Sequence, residues 1–281
     1  MSVGRGFLRL HHKVVFYDID RRKVQALRSH GLNATLRMED AVKNSQISFI
    51  SVPTPTGKTG IDLSHVETVV KKLGECLKQK DDYHLVVLKS TVTPTTTERI
   101  VIPILEKRSG RKVRMHIGVC VNPEFMTEIH HSWTGNERFA RHFFNEPVVV
   151  IGALDKRSGD CLQNLYVPLK LPVVRTDLKT AEMIKYAFNC ALAARISYWN
   201  EIFYICRRLG IDSSLVAQTA AMDERVGKYG AIHGKAFGGK CLPKDLRAFI
   251  QFAEDLGDKP KLLNAVQDVN RRIRADRGVR Q

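Results

Sequence analysis

The chain alternates between short runs of β-branched residues and helical stretches up to about Arg175, and beyond that point it reads as helix only. Short apolar strands that alternate with helices are typical of a parallel sheet with helices on both faces. The strand-like runs occupy residues 13–18, 46–52, 84–89, 115–121, 147–151 and 172–174, and the helical stretches between them occupy residues 21–30, 64–79, 96–107 and 156–166. The first part of the chain is therefore predicted to be an α/β domain with a doubly wound parallel sheet.

The second part of the chain contains four helical stretches and no strand-like run, at residues 181–209, 213–222, 242–255 and 261–274. A chain of 281 residues can form one large domain or two domains of ordinary size. The change of pattern predicts two domains, an α/β domain at residues 1–176 and an all-helical domain at residues 177–281.

The formal net charge is +16, which favours anionic partners such as phosphates and nucleotides. Part of the excess lies in five arginines near the C-terminus, Arg271, Arg272, Arg274, Arg277 and Arg280. No aromatic residues lie between them, so a stacking surface for single-stranded nucleic acid is unsupported. A solvated helix end is the simpler interpretation, and no nucleic-acid partner is expected.

The six cysteines, at positions 76, 120, 161, 190, 206 and 241, are scattered, without a C-x-x-C pair or the Cys/His spacing of a metal site. This pattern predicts reduced thiols in a cytoplasmic protein, with no disulfide framework and no bound metal. The longest apolar runs are too short to span a bilayer, and no signal peptide opens the chain, so no membrane partner is expected.

The segment GGKCLPKD at residues 238–245 surrounds Cys241 with two glycines, a proline and an aspartate. The glycines let the backbone approach a ligand, and Pro243 fits the first turn of a helix. Cys241 would then lie at the helix N-terminus, where partial positive charge and Lys244 favour the nucleophilic thiolate. A buried structural cysteine after a flexible turn is the alternative, but the flanking residues favour the nucleophile. Asp245, one turn on, is placed to hold a water or a proton.

Lys185 and Asn189 are spaced i,i+4 in the long helical stretch and therefore lie on one helix face. Their neighbours are mostly apolar, and a lysine in such surroundings can donate to a developing alkoxide. A lysine that extends from a core helix to the solvent is the alternative, and it would be preferred without Cys241 in the same domain.

Three loops that follow strand-like runs carry small polar or acidic residues, at residues 52–57, 90–94 and 122–128. Ligands of open α/β sheets bind at the carboxyl ends of the strands, where such loops lie. The prolines in these loops can also simply end the strands, but three such loops in succession favour a binding site.

Asp18 ends the first strand-like run. In a dinucleotide-binding βαβ unit, an acidic residue at the end of the second strand holds the ribose hydroxyls, about 20 residues after a glycine-rich turn. Only 17 residues precede Asp18, and Gly4 and Gly6 do not form that turn. Residues 13–18 are therefore expected to be the second strand, with the first strand and the phosphate-binding turn missing. Loss of that strand would leave apolar strand edges unpaired.

Together these segments resemble the UDP-glucose/GDP-mannose dehydrogenase family. The resemblance rests on YDID, VPTPTG, STVTPTTTE, NPEFMTE, EPVVVIG, the helix KTAEMIKYAFNCALAARISYWNEI, MDERVG and FGGKCLPKDLRA, which follow the family's order and cover nearly the whole chain. FGGKCLPKD is the most specific of them. The resemblance implies a Rossmann-like NAD-binding domain, an all-helical central domain that forms a homodimer, and a third, nucleotide-sugar-binding domain, which is expected to be absent beyond about Arg274.

The resemblance also implies a reaction, the oxidation of the sugar C6 alcohol to a carboxylate with two NAD, through an intermediate bound to a cysteine. The catalytic residues it implies are Cys241, Lys185, Asn189, Asp245, Glu124 and Thr91. Those implied for NAD are Asp18, Lys23, Val52, Pro53, Thr54, Pro55, Ser90, Thr91, Glu128 and Lys244. Those implied for the nucleotide sugar are Phe125, Glu128, Lys185, Asn189, Arg225, Tyr229, Phe237 and Gly238.

The roles that the resemblance implies differ among these residues. Lys185 and Asn189 would stabilise the oxyanion, whereas Asp245, together with Glu124 and Thr91, would position and activate water. Arg225 would reach the sugar nucleotide of a partner subunit.

Several alternatives remain open at this point. GGKCLPKD favours UDP-glucose or GDP-mannose over N-acetylated mannosamine sugars, and UDP-glucose is preferred, which gives UDP-glucuronate as the product. A β-hydroxyacid dehydrogenase also has a Rossmann domain and a Lys-x-x-x-Asn helix, but it has no need of Cys241. The chain could also be an inactive truncated remnant or a basic binding protein.

Overall fold

The computed structural model describes residues 2–57, 59–127, 139–231 and 233–276. The chain forms two compact units. The first comprises Met1–Thr54, Asp62–Met126 and Arg141–Met183, and the second comprises Pro55–Ile61, Thr127–Ala140 and Ile184–Gln281. The domain boundary predicted near residue 176 stays a prediction.

Nine strands are formed by the described residues. In chain order they are β1 (Phe16–Tyr17), β2 (Ala34–Thr35), β3 (Ile47–Ile50), β4 (Thr56–Gly57), β5 (Gly60–Ile61), β6 (His84–Leu88), β7 (Ile117–Val121), β8 (Val149–Ala153) and β9 (Val173–Thr176).

The helices are α1 (Ser2–Arg9), α2 (Arg21–Ser29), α3 (Met38–Lys43), α4 (Ser64–Leu77), α5 (Ile102–Ser109), α6 (Lys156–Tyr166), α7 (Leu178–Leu209), α8 (Ser213–Ala220), α9 (Leu242–Asp255) and α10 (Lys261–Ala275). A π-helical turn at Thr97–Val101 leads into α5, and a 3₁₀ turn at Val167–Leu169 follows α6. None of the helices in the described ranges is long and apolar enough to cross a membrane.

The main sheet of the first unit has the strand order β3-β6-β7-β8-β9. Both β6 and β7 are buried along their whole length, as expected for strands that helices cover on both faces. The predicted α/β fold is confirmed, with one difference: β7 and β8 are antiparallel, whereas the other neighbours are parallel. An antiparallel pair needs no crossover helix, and the sequence predicts no helix between residues 121 and 147.

Strands β1 and β2 form a separate two-stranded parallel sheet, in which Phe16 pairs with Ala34. Within the described chain, β3 therefore has one strand neighbour, β6, and is an edge strand of the main sheet. The unpaired edge expected from the sequence is thus present at β3.

Helix α1 was not predicted from the sequence, and it packs on the first unit through Phe7. The buried Phe7 ring lies 5.3 Å from the ring of Phe49 in β3 and 5.1 Å from that of Phe143, measured between centroids. The glycines of α1 allow this close packing: a Cβ on Gly4 would lie 2.4 Å from Cε1 of Phe16, and one on Gly6 would lie 2.2 Å from Cδ1 of Phe143. These glycines therefore serve helix packing.

The second unit is built around α7, α9 and α10. Its core contains Cys190, Ala193 and Ile196 of α7, with Leu246 of α9 and Val266 of α10 packed against them. The helical prediction for this part of the chain is confirmed. The hairpin β4–β5 also belongs to this unit, although it lies far upstream in the sequence.

Candidate active site

The predicted site residues lie in both units. In the second unit, Cys241 occupies the N-cap position of α9, with Pro243 in the first turn. The carbonyl oxygen of Cys241 accepts the first helical hydrogen bond, from the Asp245 amide at 2.8 Å. Cys241 is also the exposed cysteine of the six. The position predicted for this thiol, at a helix N-terminus, is confirmed.

Asp245 is a buried carboxylate held by two neighbours. Its side chain is 1% exposed; Lys244 Nζ lies 2.5 Å from Oδ1, and Asn189 Nδ2 donates to Oδ2 at 2.5 Å. A buried carboxylate loses its hydration, and a cation with an amide donor offsets that loss. The structure thus joins three residues to which the sequence assigned separate roles, and it fixes the orientation of the Asn189 amide.

Lys185 lies one turn before Asn189 on α7, and both side chains are buried, with Lys185 at 7% exposure. Between them, the ring of Tyr186 stacks on Phe249 of α9, with centroids 5.2 Å apart. This contact fixes the register of α7 against α9 within the unit. The face of α7 that carries the lysine and the asparagine is therefore the face packed toward the helix that Cys241 begins.

The segment before Cys241 is anchored at one end and open at the other. Phe237 is buried in the core, and its carbonyl oxygen accepts hydrogen bonds from Asn270 and Arg274, each at 3.1 Å. Gly239 has φ +75°, which favours glycine, and no heavy atom lies within 4 Å of a Cβ placed on Gly238 or Gly239. The backbone next to the cysteine is therefore accessible to a ligand.

Tyr229 and Arg225 both lie in the loop between α8 and α9, but they differ in burial. Tyr229 is half-buried, and burial raises the pKa of its phenol. Its carbonyl oxygen accepts from Arg195 Nε at 3.2 Å, and Arg195 also donates to the carbonyls of Val226 and Gly227. Sequence reasoning missed Arg195, which holds this loop on α7. Arg225 is exposed and binds Asp223, with N–O distances down to 2.6 Å.

In the first unit, Asp18 follows β1 and is half-buried. Its Oδ1 accepts from the Asp20 amide at 2.9 Å, and Lys23 Nζ lies 3.5 Å from its Oδ2. Asp20 caps α2 through the amides of Arg22 and Lys23. The structure therefore places Asp18 at the carboxyl end of a parallel strand, as the sequence predicted, and it places Lys23 next to Asp18.

The loops after β3 and β6 are joined by side chain to main chain hydrogen bonds. Ser90 Oγ accepts from the Val52 amide and donates to the Val52 carbonyl, each at 2.8 Å. Thr54 Oγ1 donates to the Thr91 carbonyl at 2.7 Å. Four of the predicted cofactor residues are thereby held together at one edge of the sheet. Pro53 is exposed beside them, whereas Pro55, also exposed, belongs to the second unit.

The loop after β7 rests on a buried polar network that sequence reasoning missed. Asn122 Oδ1 accepts from Lys89 Nζ at 3.0 Å and from the Tyr166 hydroxyl at 2.5 Å, and its amide donates to the Val150 carbonyl at 2.8 Å. Burial raises the pKa of the Tyr166 hydroxyl, which therefore stays protonated and donates. No local pattern marks these residues, because they meet only when three strands and α6 pack.

Asn122 begins the NPEF segment, and two later residues of this segment, Glu124 and Phe125, are candidates for the site. The buried Phe125 donates its amide to Glu146 Oε2 at 2.7 Å, and Glu124 is half-buried. Glu128, predicted to bind both cofactor and sugar, lies outside the described residues.

Glu182, near the start of α7, caps the π-helical turn that leads into α5. Its carboxylate accepts from the amides of Thr95 at 2.7 Å and Thr97 at 2.9 Å, and from Thr97 Oγ1 at 2.6 Å. These bonds hold the end of the loop that contains Thr91, where Thr95 has φ +75°. Glu182 is 2% exposed, and burial raises its pKa from 4.5 to about 7, although the three donors oppose that shift.

The Glu182 carboxylate should make the stability of the chain depend on pH. Between about pH 5 and 7 the folded chain retains a proton that the unfolded chain has lost, so its free energy of unfolding falls as the pH rises. The raised pKa corresponds to a decrease in the free energy of unfolding on the order of 3 kcal/mol over this interval. This decrease is measured by urea unfolding of the wild type and of Glu182→Gln at several pH values.

The comparison of the wild type with Glu182→Gln separates the contribution of Glu182 to the pH dependence from the contributions of other titratable groups. His84 has its pKa lowered to about 4 by burial, so its contribution to stability rises with pH, but it does so in both proteins. Glu182→Gln should be less stable than the wild type at every pH, because the NH2 group of glutamine replaces a carboxylate oxygen that accepts a hydrogen bond. Its free energy of unfolding should nevertheless decline less steeply between pH 5 and 8. Parallel pH profiles of the two proteins would contradict the expectation.

Two family models match the chain. The model of the NAD binding domain of the UDP-glucose/GDP-mannose dehydrogenase family matches residues 25–170, and the model of the family's central domain matches residues 179–272.

Individual relatives agree with these matches. The chain is 37% identical to the GDP-mannose 6-dehydrogenase of Pseudomonas aeruginosa over 85% of its own length and 54% of that protein. It is 36% identical to the UDP-glucose 6-dehydrogenase AglM of Haloferax volcanii, over 96% of the chain and 66% of that protein. A solved UDP-glucose dehydrogenase of Pyrobaculum islandicum is similar with a TM-score of 0.87 and 33% identity, over 96% of this chain and 65% of that one. The chain thus spans between half and two thirds of the length of these relatives.

Proposed function

Because the chain belongs to the UDP-glucose/GDP-mannose dehydrogenase family, we propose that it carries out the NAD-dependent oxidation of the C6 alcohol of a nucleotide sugar to a carboxylate. One arrangement carries this proposal: the exposed Cys241 begins α9, and the buried Asp245 in the first turn of that helix binds Asn189 of α7. UDP-glucose is the substrate we favour, with UDP-glucuronate as product. GDP-mannose is the alternative, since relatives named for either activity are 36% and 37% identical to the chain.

Cys241 is the nucleophile of the proposed reaction. Its thiol adds to the carbon of the C6 aldehyde, so that a C–S bond forms and negative charge develops on the aldehyde oxygen. After oxidation of this adduct to a thioester, attack of water breaks the C–S bond, releases the carboxylate and returns the thiol. The exposure of Cys241 and its place at a helix N-terminus, which favours the thiolate, support this role.

Lys185 and Asn189 stabilise the oxygen on which charge develops. Both are buried on the same face of α7, where low polarity strengthens their interaction with an oxyanion. Asp245 keeps the Asn189 amide in one orientation, and Lys244 offsets the charge of Asp245. The roles of Asp245, Glu124 and Thr91 in positioning water stay predictions.

The first unit holds the NAD in this proposal. When bound, NAD would supply the hydride acceptor for each of the two oxidations at C6. The half-buried Asp18 fits the ribose hydroxyls, with Lys23 beside it. The segments that Ser90 and Thr54 tie together, at the carboxyl ends of β3 and β6, fit the nicotinamide side of the dinucleotide.

A homodimer through α7 is part of the proposal. Tyr198, Ile205 and Leu209 are large exposed apolar residues at spacings that place them on one face of α7, and Leu215 of α8 is also exposed. Pairing of this face with a second copy would cover them, and Arg225 would then serve the partner's substrate. A charge at this face should weaken the dimer, so Leu209→Glu should sediment more slowly than the wild type in a sedimentation velocity experiment. An unchanged sedimentation coefficient would count against this interface.

The proposed activity is tested with the chain itself and with a chimera that carries, at its ends, the parts of the Haloferax volcanii relative that the match leaves out. With UDP-glucose we expect two NADH per sugar and UDP-glucuronate as the product. A higher kcat/KM with GDP-mannose would reassign the substrate and retain the reaction. If the folded chimera reduces NAD with neither sugar, the proposal is wrong.

A further inference from the structure

An open cavity of about 390 Å³, largely exposed to solvent, lies between the C-terminal ends of α7 and α10 in the second unit. The residues that line it are Tyr204, Arg207, Arg208, Arg272, Ala275 and Asp276. None of them was assigned to the proposed reaction. The volume is within the range of small-molecule sites in proteins.

The charge of this cavity is strongly positive. Arg207 donates to Asp276 Oδ2 at 2.9 Å, so these two charges offset each other. The guanidinium groups of Arg208 and Arg272 have no hydrogen bond or ion pair with any residue in the described part of the chain. Two positive charges therefore face one cavity without a counter-charge among those residues.

Arg272 is held in place by an aromatic ring. Its guanidinium carbon lies 3.8 Å from the centroid of the buried Tyr204 ring, a stacking distance. This contact restrains the guanidinium group, while its N–H groups stay available to a ligand. A planar, weakly hydrated and preorganised arginine is well suited to bind phosphate oxygens in pairs.

Arginines in the last turn of a helix also offset the negative end of the helix dipole, and both α7 and α10 end in such residues. That role explains the positions of the arginines, but it requires neither a cavity between two helices nor stacking on Tyr204. Two guanidinium groups at one cavity are matched in charge by a ligand that carries two negative charges.

We propose that this cavity binds a phosphate-bearing small molecule with two or more negative charges, held by the guanidinium groups of Arg208 and Arg272. The assignment does not depend on the proposed dehydrogenase reaction, because the two share no residue.

Calorimetric titration of the chain with inorganic pyrophosphate, at fixed ionic strength, tests the assignment. Saturable binding is expected for the wild type, with at least tenfold weaker binding for the double variant Arg208→Gln/Arg272→Gln. Arg271→Gln is the matched control, since it also removes an exposed arginine from α10. Arg271 already pairs with Asp268 at 3.0 Å and with Gln267, so pyrophosphate affinity should be unchanged.

Circular dichroism establishes that the variants fold. If the double variant does not, Arg208→Gln alone carries the test, because this side chain is exposed at the end of α7, and weaker binding is again expected. The assignment is overturned if the wild type shows no saturable binding or if the arginine variants bind as tightly as it does. Binding to vesicles of phosphatidic acid without binding to pyrophosphate would overturn it as well.

Discussion

Replacement of Cys241 by serine should abolish the conversion of the sugar alcohol to the carboxylate in the chimera described above. A serine hydroxyl is a far weaker nucleophile than a thiolate at neutral pH, so the adduct that leads to the thioester does not form. The measurement is NADH formation, together with mass spectrometry of the wild type under conditions that slow hydrolysis. A sugar adduct is expected on the peptide that contains Cys241.

The other cysteines provide the controls for this result. Cys161→Ser changes a half-buried thiol of the first unit and should retain turnover. Burial raises the pKa of Cys120 and of Cys190 to about 12, so iodoacetamide should label Cys241 well before either. Near-normal turnover of Cys241→Ser would exclude the covalent mechanism.

Replacement of Lys185 by alanine should lower turnover in the chimera by at least about two orders of magnitude, the usual cost of removing one donor to an oxyanion. The loss should fall on kcat more than on KM, because the negative charge that the ammonium stabilises develops only in the transition state. Steady-state kinetics with UDP-glucose separates the two constants.

Two further variants distinguish the charge of Lys185 from its packing. Lys185→Met retains most of the buried stem without the ammonium and should be as slow as the alanine variant. Lys179→Ala removes an exposed lysine from the same helix and should leave kcat unchanged. If Lys185→Ala turns over normally but binds the sugar more weakly, Lys185 only holds the substrate.

Much of the fold follows from local signals. The buried runs that became β6 and β7 are β-branched, and helical periodicity marked α4, α6, α7, α9 and α10 nearly to their ends. The position of Cys241 was predictable for the same reason, since Pro243 and the glycines before the cysteine mark a helix start within a few residues. Helix α1 was not predictable, because its glycines weaken helix propensity and its stability depends on Phe7 packing on Phe49.

The contacts between distant segments required the folded chain. In the sequence, nothing distinguishes Glu182 from the other charged residues of its helix. Only folding places it against Thr95 and Thr97, where burial raises its pKa to about 7. The antiparallel pairing of β8 with β7 likewise depends on how the chain returns to the sheet, which no short pattern encodes.

The sequence by itself determined the strands of the main sheet, most of the helices and the place of Cys241 on its helix, because capping, periodicity and β-propensity act over a few residues. Only the tertiary structure decided that Asp245 binds Asn189, 56 positions away, and that Arg208, Arg272 and Tyr204 line one cavity where α7 and α10 end. Such arrangements depend on burial and on charges brought together by packing, and both quantities are defined only once the chain has folded.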